Sequence, residues 1–365
     1  MTMTTTNEWN AALSLLCVQL GSPADVLMCT PALRALRAQC PGRRVTLLAS
    51  PAGAALGPYL PDADAVLAHD APWTNNGAAA SHLDWIAGLA AQRFDGAVIF
   101  TGYRESSLPA ALLCQLAGIP LRAAWCRETP HQLLTHWIAD PEPGAMLRHP
   151  VQRQLDLVRH LGAELADKRL AFLPASQDMA SVRTRLQLAG IDPDARWLAL
   201  HPGAGVQARR YPQHHWSKLV QALAERIGCP LVLIGGGHEQ ALIEAIEIPP
   251  AVHVHSLVGQ LEIGALGALL AQASLLVSSN PGTVQLAAAV GTPLVDLGAP
   301  GDVFHAPWRV PSRVLGHDAQ TGGALATLAP AQVVDAVCSL LKQTEAGRAQ
   351  GKPMNRYSDE CPPRA

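Results

Sequence analysis

Short apolar runs alternate with amphipathic segments along most of the chain. Residues 13–20, 44–49 and 97–100 read as strands, with shorter ones at 65–68 and 121–124. Between them, residues 26–39 carry apolar side chains at 26, 27, 33 and 36, the spacing of a helix face, and residues 106–117 read as a second helix. Apolar runs bounded by turn residues and separated by helical stretches predict parallel sheets with crossover helices, an α/β class. The pattern restarts after residue 175. Strands are expected at 197–200, 230–234, 274–278 and 293–297, and helices near 213–227, 238–247, 262–272 and 283–290. A last amphipathic helix is expected at 331–341. The Pro-rich stretches 129–150 and 298–311 read as loops.

This restart divides the chain into residues 1–175 and 176–330, each long enough for its own core in a chain of 365 residues that is 49% hydrophobic. Two α/β halves are expected to hold a ligand between them, outside the carboxyl ends of their strands. The tail 346–365 is polar, with Gly and Pro, and is expected to be disordered. The chain has 27 Lys+Arg against 29 Asp+Glu, a net charge of −2, which gives no basic footprint for nucleic acid. The N-terminal residues lack a basic and then apolar leader, and no apolar run reaches a membrane-spanning length. At most a peripheral membrane association is expected. The eight cysteines are scattered without a C-x-x-C pair and read as buried thiols of a cytoplasmic protein.

Candidate chemistry gathers where strands give way to helices. The run H-P-G-A-G-V-Q-A-R-R-Y-P at 201–212 follows an expected strand and precedes an expected helix. Small residues followed by two arginines can wrap backbone N–H groups and guanidinium charge around a phosphate. His201, Gly203, Ala204, Gly205 and Arg210 are therefore candidate ligand residues, and Arg209 is the arginine expected to face the ligand. His201 also reads as a brace for the loop, and the arginines as a solvated pair. A second anion-type turn is S-S-N-P-G-T-V-Q at 278–285. Asn280 and Gln285 flank it, and the N–H groups of Gly282, Thr283 and Val284 are expected to be free for an anion. Two such sites in one half suggest a diphosphate ligand. Gly235 and Glu239 belong to another strand–glycine–helix turn. There Glu239 reads either as a partner of the helix dipole or as a ribose ligand.

In the first half Asp25 sits at a strand-to-helix turn. It reads as a helix cap and, if partly desolvated, also as a general base. Asp62 and Asp64 resemble a D-x-D metal motif but lie in a Pro-Asp turn, and read as turn chemistry. No H-E-x-x-H, nucleophile elbow or phosphate-binding GK[ST] loop occurs, and no G-x-G-x-x-G follows the first strand. No metal and no cofactor is expected.

Three motifs together resemble glycosyltransferase family 9, the heptosyltransferase family. They are A-D-V-L-x-x-T-P-A-L-R-A-L-R at 24–37, H-P-G-A-x4-R-R-Y-P at 201–212, and S-N-x-G-x-V-x-x-A-A-A-V-G-T-P at 279–293. The resemblance spans about residues 13–341. It implies the GT-B fold, two Rossmann-like domains facing across a cleft, with the last helix (331–345) returning to the first domain. It also implies metal-independent, inverting sugar transfer from a nucleoside-diphosphate donor to a glycan, lipid-linked or small-molecule acceptor, within lipopolysaccharide biosynthesis. In that family's scheme Asp25 matches the catalytic base, Arg209 the group that steadies the leaving diphosphate, and Glu239 a ribose contact. Acceptor contacts are expected from Tyr103, Arg104 and Ser106. The chain departs from the family pattern at Pro281, where a hydroxyl is usual, and at Gln285, where a His is usual. Two rivals stand beside this reading: a UDP-sugar epimerase of the same architecture, and a sugar-nucleotide-binding protein without turnover.

Overall fold

The computed structural model describes residues 8–73, 80–204, 210–298, 302–316 and 325–349. The chain divides into two compact units, Met1–Ala171 and Phe172–Ala365, so the divide falls a few residues before the expected one at 175.

The first unit runs β1 (Ser14–Gln19), α1 (Pro23–Gln39), β2 (Arg44–Ala49), α2 (Pro51–Ala54), β3 (Ala65–Ala68), α3 (Ala80–Ala91), β4 (Gly96–Ile99), α4 (Leu108–Leu116), β5 (Leu121–Cys126), β6 (His136–Ala139) and α5 (Pro150–His160). Its six strands are parallel in the order β3-β2-β1-β4-β5-β6. The central strand β1 pairs Leu15 with Val45 on one side and with Gly96 on the other. Helices cover both faces of such a sheet, so its middle strands read as continuous apolar runs rather than alternating ones. Leu15, Leu16, Cys17, Val45, Leu47 and Val98 are accordingly fully buried.

The second unit runs α6 (Ser176–Leu188), β7 (Leu198–His201), α7 (Gln213–Ile227), β8 (Leu231–Leu233), α8 (Gln240–Glu244), β9 (Val254–Ser256), α9 (Ile263–Gln272), β10 (Leu275–Ser278), α10 (Pro281–Val290), β11 (Leu294–Asp296), β12 (Ser312–Val314) and α11 (Pro330–Ala349). The strand order is β9-β8-β7-β10-β11-β12, again parallel. Counted from its own first strand, this is the topology of the first unit repeated. Each sheet reverses its winding direction once, between β1 and β4 and between β7 and β10. Loops at such a switch point diverge and leave a crevice for a ligand.

Three edge strands escape the hydrophobic pattern. β6 lies inside 129–150, expected to be loop. Its four residues alternate buried and exposed on the sheet edge, too short a signal to register between prolines. β9 and β12 have three residues each. Helix α11 buries Val333, Val334, Val337, Leu340 and Leu341 in the core of the second unit, with Trp216, Leu219 and Leu223 of α7. That is the segment the family resemblance sends back to the first domain. Residues 350–365 of the expected tail lie outside the described residues. No described helix is long and apolar enough to cross a membrane.

Candidate functional site

In the first unit the switch point collects Asp25 and the loop after β4. Ser22 caps α1: its hydroxyl accepts from the Asp25 N–H at 3.3 Å, while Asp25 Oδ2 accepts from the Ser22 N–H at 2.8 Å and the Ser22 hydroxyl at 2.6 Å. Pro23 occupies the first helical position, where its missing N–H costs nothing. The reciprocal cap stabilises the helix start by about 1 kcal/mol. It consumes one carboxylate oxygen. Asp25 Oδ1 has no hydrogen-bond partner among the described residues, and the side chain is half-buried.

Tyr103, Arg104 and Ser106 lie in the loop after β4, the neighbour of β1. Arg104 Nε donates to the Tyr103 hydroxyl at 2.7 Å, and Glu105 accepts from the Gly102 N–H at 2.9 Å. The Ser106 hydroxyl accepts from the Leu108 N–H at 3.3 Å. Burial pushes the Cys29 thiol up; a Gln19 hydrogen bond lowers it, and the charges of Asp25 and Glu105 both raise it further. The Asp25 turn and the Glu105 loop thus act on one buried thiol.

Behind this loop is a buried ionic cluster that no sequence motif announces. Arg153 of α5 donates from both terminal nitrogens to Asp140 at 2.8 Å and also meets Glu142. Arg148 reaches Glu142 at 3.1 Å and Asp156 at 3.2 Å, and its guanidinium lies 4.5 Å from the centre of the Trp125 ring. Burial alone would raise the Asp140 carboxyl; the Arg153 hydrogen bonds and the Glu142 N–H hold it below its ordinary value. Asp140, Glu142 and Arg148 sit in a Pro-rich stretch without periodicity and their partners Arg153 and Asp156 on α5, so no single run of sequence displays the cluster.

In the second unit β7 delivers His201 to the switch point. Its Nδ1 lies 2.7 Å from the Thr283 hydroxyl and its Nε2 2.9 Å from Glu239 Oε2. Glu239 is 4% exposed and also accepts from the Gly236 N–H at 2.8 Å. Burial would push its carboxyl up, but the hydrogen bond and charge of His201, with the Gly236 N–H, hold it below its ordinary value. The glycines follow from this packing. A Cβ on Gly203 would stand 1.8 Å from Glu239 Oε1, and one on Gly235 2.9 Å from Oε2. Glu239 is thus enclosed by two glycine backbones and committed to His201, a brace joining β7, the turn after β8 and α10.

The second anion-type turn differs from expectation. Asn280 caps α10 and accepts from the Gly282 and Thr283 N–H groups at 2.9 and 3.3 Å; the Val284 N–H bonds the Asn280 carbonyl at 3.0 Å. None of the three is therefore free: the Asn280 side chain takes the first two, and the third makes the first backbone bond of the helix. An anion bound there has to displace the Asn280 side chain. Gln285 is fully buried and donates to the His305 and Ala306 carbonyls at 3.3 and 3.0 Å, while its Oε1 has no hydrogen-bond partner among the described residues. Arg210 is exposed, with its Nε on the Ala204 carbonyl at 3.0 Å. Gly205 and Arg209 lie outside the described residues.

The remaining candidates resolve simply. Asp62 pairs with Arg34, and Asp64 accepts from the Val45 N–H and pairs with Arg37, the turn chemistry expected of them. Cys17, Cys29, Cys114 and Cys126 are buried free thiols, as expected, and burial raises the Cys17 and Cys114 thiols to about 12; Cys40, Cys229 and Cys338 are free but only partly buried.

The family model for glycosyltransferase family 9 (heptosyltransferase) matches residues 86–325, well over half of the chain. Lipopolysaccharide heptosyltransferase 2 of Escherichia coli (strain K12) is 25% identical over 281 residues, covering 71% of this chain and 78% of that protein. Among solved structures, a family 9 glycosyl transferase from Veillonella parvula superposes with a TM-score of 0.77 at 16% identity, over 92% of this chain and 99% of that one. The ADP-heptose lipopolysaccharide heptosyltransferase II of E. coli superposes with a TM-score of 0.73 at 20% identity, over 91% and 99%. With two repeated Rossmann-like sheets of the GT-B class, and a family match that spans parts of both units, this chain belongs to glycosyltransferase family 9, the heptosyltransferase family, and is a glycosyltransferase.

Proposed function

We propose that the protein transfers a heptose from ADP-heptose to a lipopolysaccharide core glycan, with inversion and without a metal. The observation that carries the reading is the division of labour on Asp25, where one oxygen is fixed by the cap and the other is unengaged among the described residues. A carboxylate held in this way is an oriented general base. In the proposed step an acceptor hydroxyl oxygen bonds to the anomeric carbon from the face opposite the diphosphate. Its proton passes to Asp25, and the bond from the anomeric carbon to the diphosphate oxygen breaks, releasing ADP. Charge develops on the departing diphosphate, so donors aimed there supply the main stabilisation, about 3–4 kcal/mol for one well-placed group. Arg209 is assigned that role, and the 201–210 loop and the α10 turn the binding of the donor. Tyr103, Arg104 and Ser106 are assigned to the acceptor. The donor and acceptor follow the name of the E. coli structure with which the chain superposes.

The test incubates the full chain with ADP-, UDP- and GDP-sugars and heptose-deficient lipopolysaccharide, with and without EDTA, and determines the anomeric configuration of the product. EDTA-resistant transfer from ADP-heptose with an inverted linkage is the expected result. Sugar epimerisation without acceptor, a retained configuration, or loss of transfer in EDTA sinks the proposal.

A further inference from the structure

The loop carrying Tyr103, Arg104 and Ser106 is exposed between two buried ends. At one end the Thr101 carbonyl accepts from Arg153 Nε at 2.9 Å and from Gln154 Nε2 at 3.2 Å. At the other, the buried Ser107 hydroxyl donates to the Trp125 carbonyl at 2.9 Å, and the Trp125 indole N–H donates to the Arg153 carbonyl at 3.0 Å. Arg153 therefore touches both anchors, one through its side chain and one through its backbone. Its own guanidinium is fixed by Asp140 and Glu142, and Arg148 closes the set over the Trp125 ring. Helix α5, which supplies Arg153 and Gln154, packs against α1, which begins with the Asp25 turn.

Such a cluster is poorly explained as a device for stability. Taking several charges out of water costs about as much as their attraction returns, and an apolar cluster of the same volume serves stability equally well. Its geometric product is specific: a planar guanidinium, locked by two carboxylates, presents its third N–H direction to one backbone carbonyl. That carbonyl lies two residues beyond the end of β4, where the loop leaves the sheet.

We infer that Arg153 and Gln154 are positioning residues that hold the 102–106 loop in the orientation in which it receives the acceptor beside Asp25. This inference rests on the reading that the loop meets the acceptor. Neither side chain touches substrate; both act through the Thr101 carbonyl.

The experiment uses the full chain, with ADP-heptose as donor and heptose-deficient lipopolysaccharide as acceptor. Gln154→Leu removes one of the two donors to Thr101 and leaves the ionic cluster whole. Arg153→Lys keeps the charge and loses the fork. Arg104→Ala probes the loop's contact with the acceptor directly. Losing one hydrogen bond of ordinary strength is expected to speed amide exchange of residues 102–106 by about three- to tenfold in Gln154→Leu, and to raise the acceptor KM by a similar factor. Arg153→Lys should do more of both. ADP affinity, measured by calorimetry, should stay within about twofold in each, since the nucleotide is assigned to the second unit. Arg104→Ala should raise the acceptor KM without changing exchange in the loop.

If Arg104→Ala raises the acceptor KM while folded Gln154→Leu changes neither KM nor exchange, the positioning role is overturned and the acceptor reading stands. If Arg104→Ala leaves the acceptor KM unchanged, the loop is not the acceptor's and the inference falls with that reading. Should Arg153→Lys fail to fold, Gln154→Leu decides alone. The exchange measurement needs no substrate, so it still decides whether these residues order the loop if the donor or acceptor proves to be different.

Discussion

The two sheets share one topology yet brace their switch points in different ways. In the second unit the brace and the candidate ligand residues are the same side chains: His201, Glu239 and Thr283 hold one another across three elements. In the first unit they are separate. Asp25 and Tyr103 are half-buried and Arg104 is exposed, and none of them belongs to the buried cluster of Arg148, Arg153, Asp140 and Glu142 that supports the loop through Thr101. On the proposed assignment, a substitution at the second unit's switch point therefore mixes folding with donor binding. One at the first unit's switch point can alter chemistry or support separately.

The largest effect should come from the edge where chemistry stands apart. Asp25→Asn keeps an acceptor oxygen for the Ser22 cap and removes the proposed base, so kcat should fall by about 10²–10⁴-fold while ADP binding and Tm hardly change. A variant with normal turnover reduces Asp25 to a cap.

At the mixed edge, His201→Ala strands a buried carboxylate and should cost about 3 kcal/mol or more in denaturant unfolding. ADP affinity should drop together with stability, and a drop in affinity alone would erase the contrast between the two edges. The same pair sets a pH signature. Glu239 titrates below its ordinary 4.5 in the folded protein, so its contribution is complete above that value and is lost as pH falls through the lowered native one. Glu239→Gln lacks this contribution, and its Tm deficit against the unsubstituted protein should shrink as the solution is acidified. A deficit that stays constant would mean that the carboxylate's charge is not what joins the loops.

A smaller, sharper comparison lies within the arginine pair. Arg209→Ala should weaken ADP binding by about ten- to a hundredfold, the worth of a charged hydrogen bond, and Arg210→Ala much less, since its Nε is occupied by the Ala204 carbonyl. Equal losses in calorimetry would reassign the phosphate contact. The smallest effect expected is from Asn280→Ala, about 1 kcal/mol of helix cap. Because the Asn280 side chain occupies the N–H groups that an anion would use, this variant should lose stability without losing ADP affinity in proportion.

The sequence determined the two repeated α/β halves, because burying a parallel sheet on both faces forces the near-continuous apolar runs of β1, β2, β7 and β10. It also marked the turns at the switch points, since Ser22, Asp25, Gly203 and Asn280 stand where a strand must become a helix. Edge strands β6, β9 and β12 left no trace, because a partly exposed edge needs no continuous apolar run, whereas β8 and β11 are as short as β9 and β12 but fully buried. Only the tertiary structure decided what the polar residues do. That Glu239 is enclosed by Gly203 and Gly235, that Asn280 satisfies its own helix, and that Arg153 grips Thr101 from fifty-two residues away all depend on contacts between segments far apart in the chain. Hydrophobic period is a local property of the chain, whereas the partner of a buried charge is chosen by the fold.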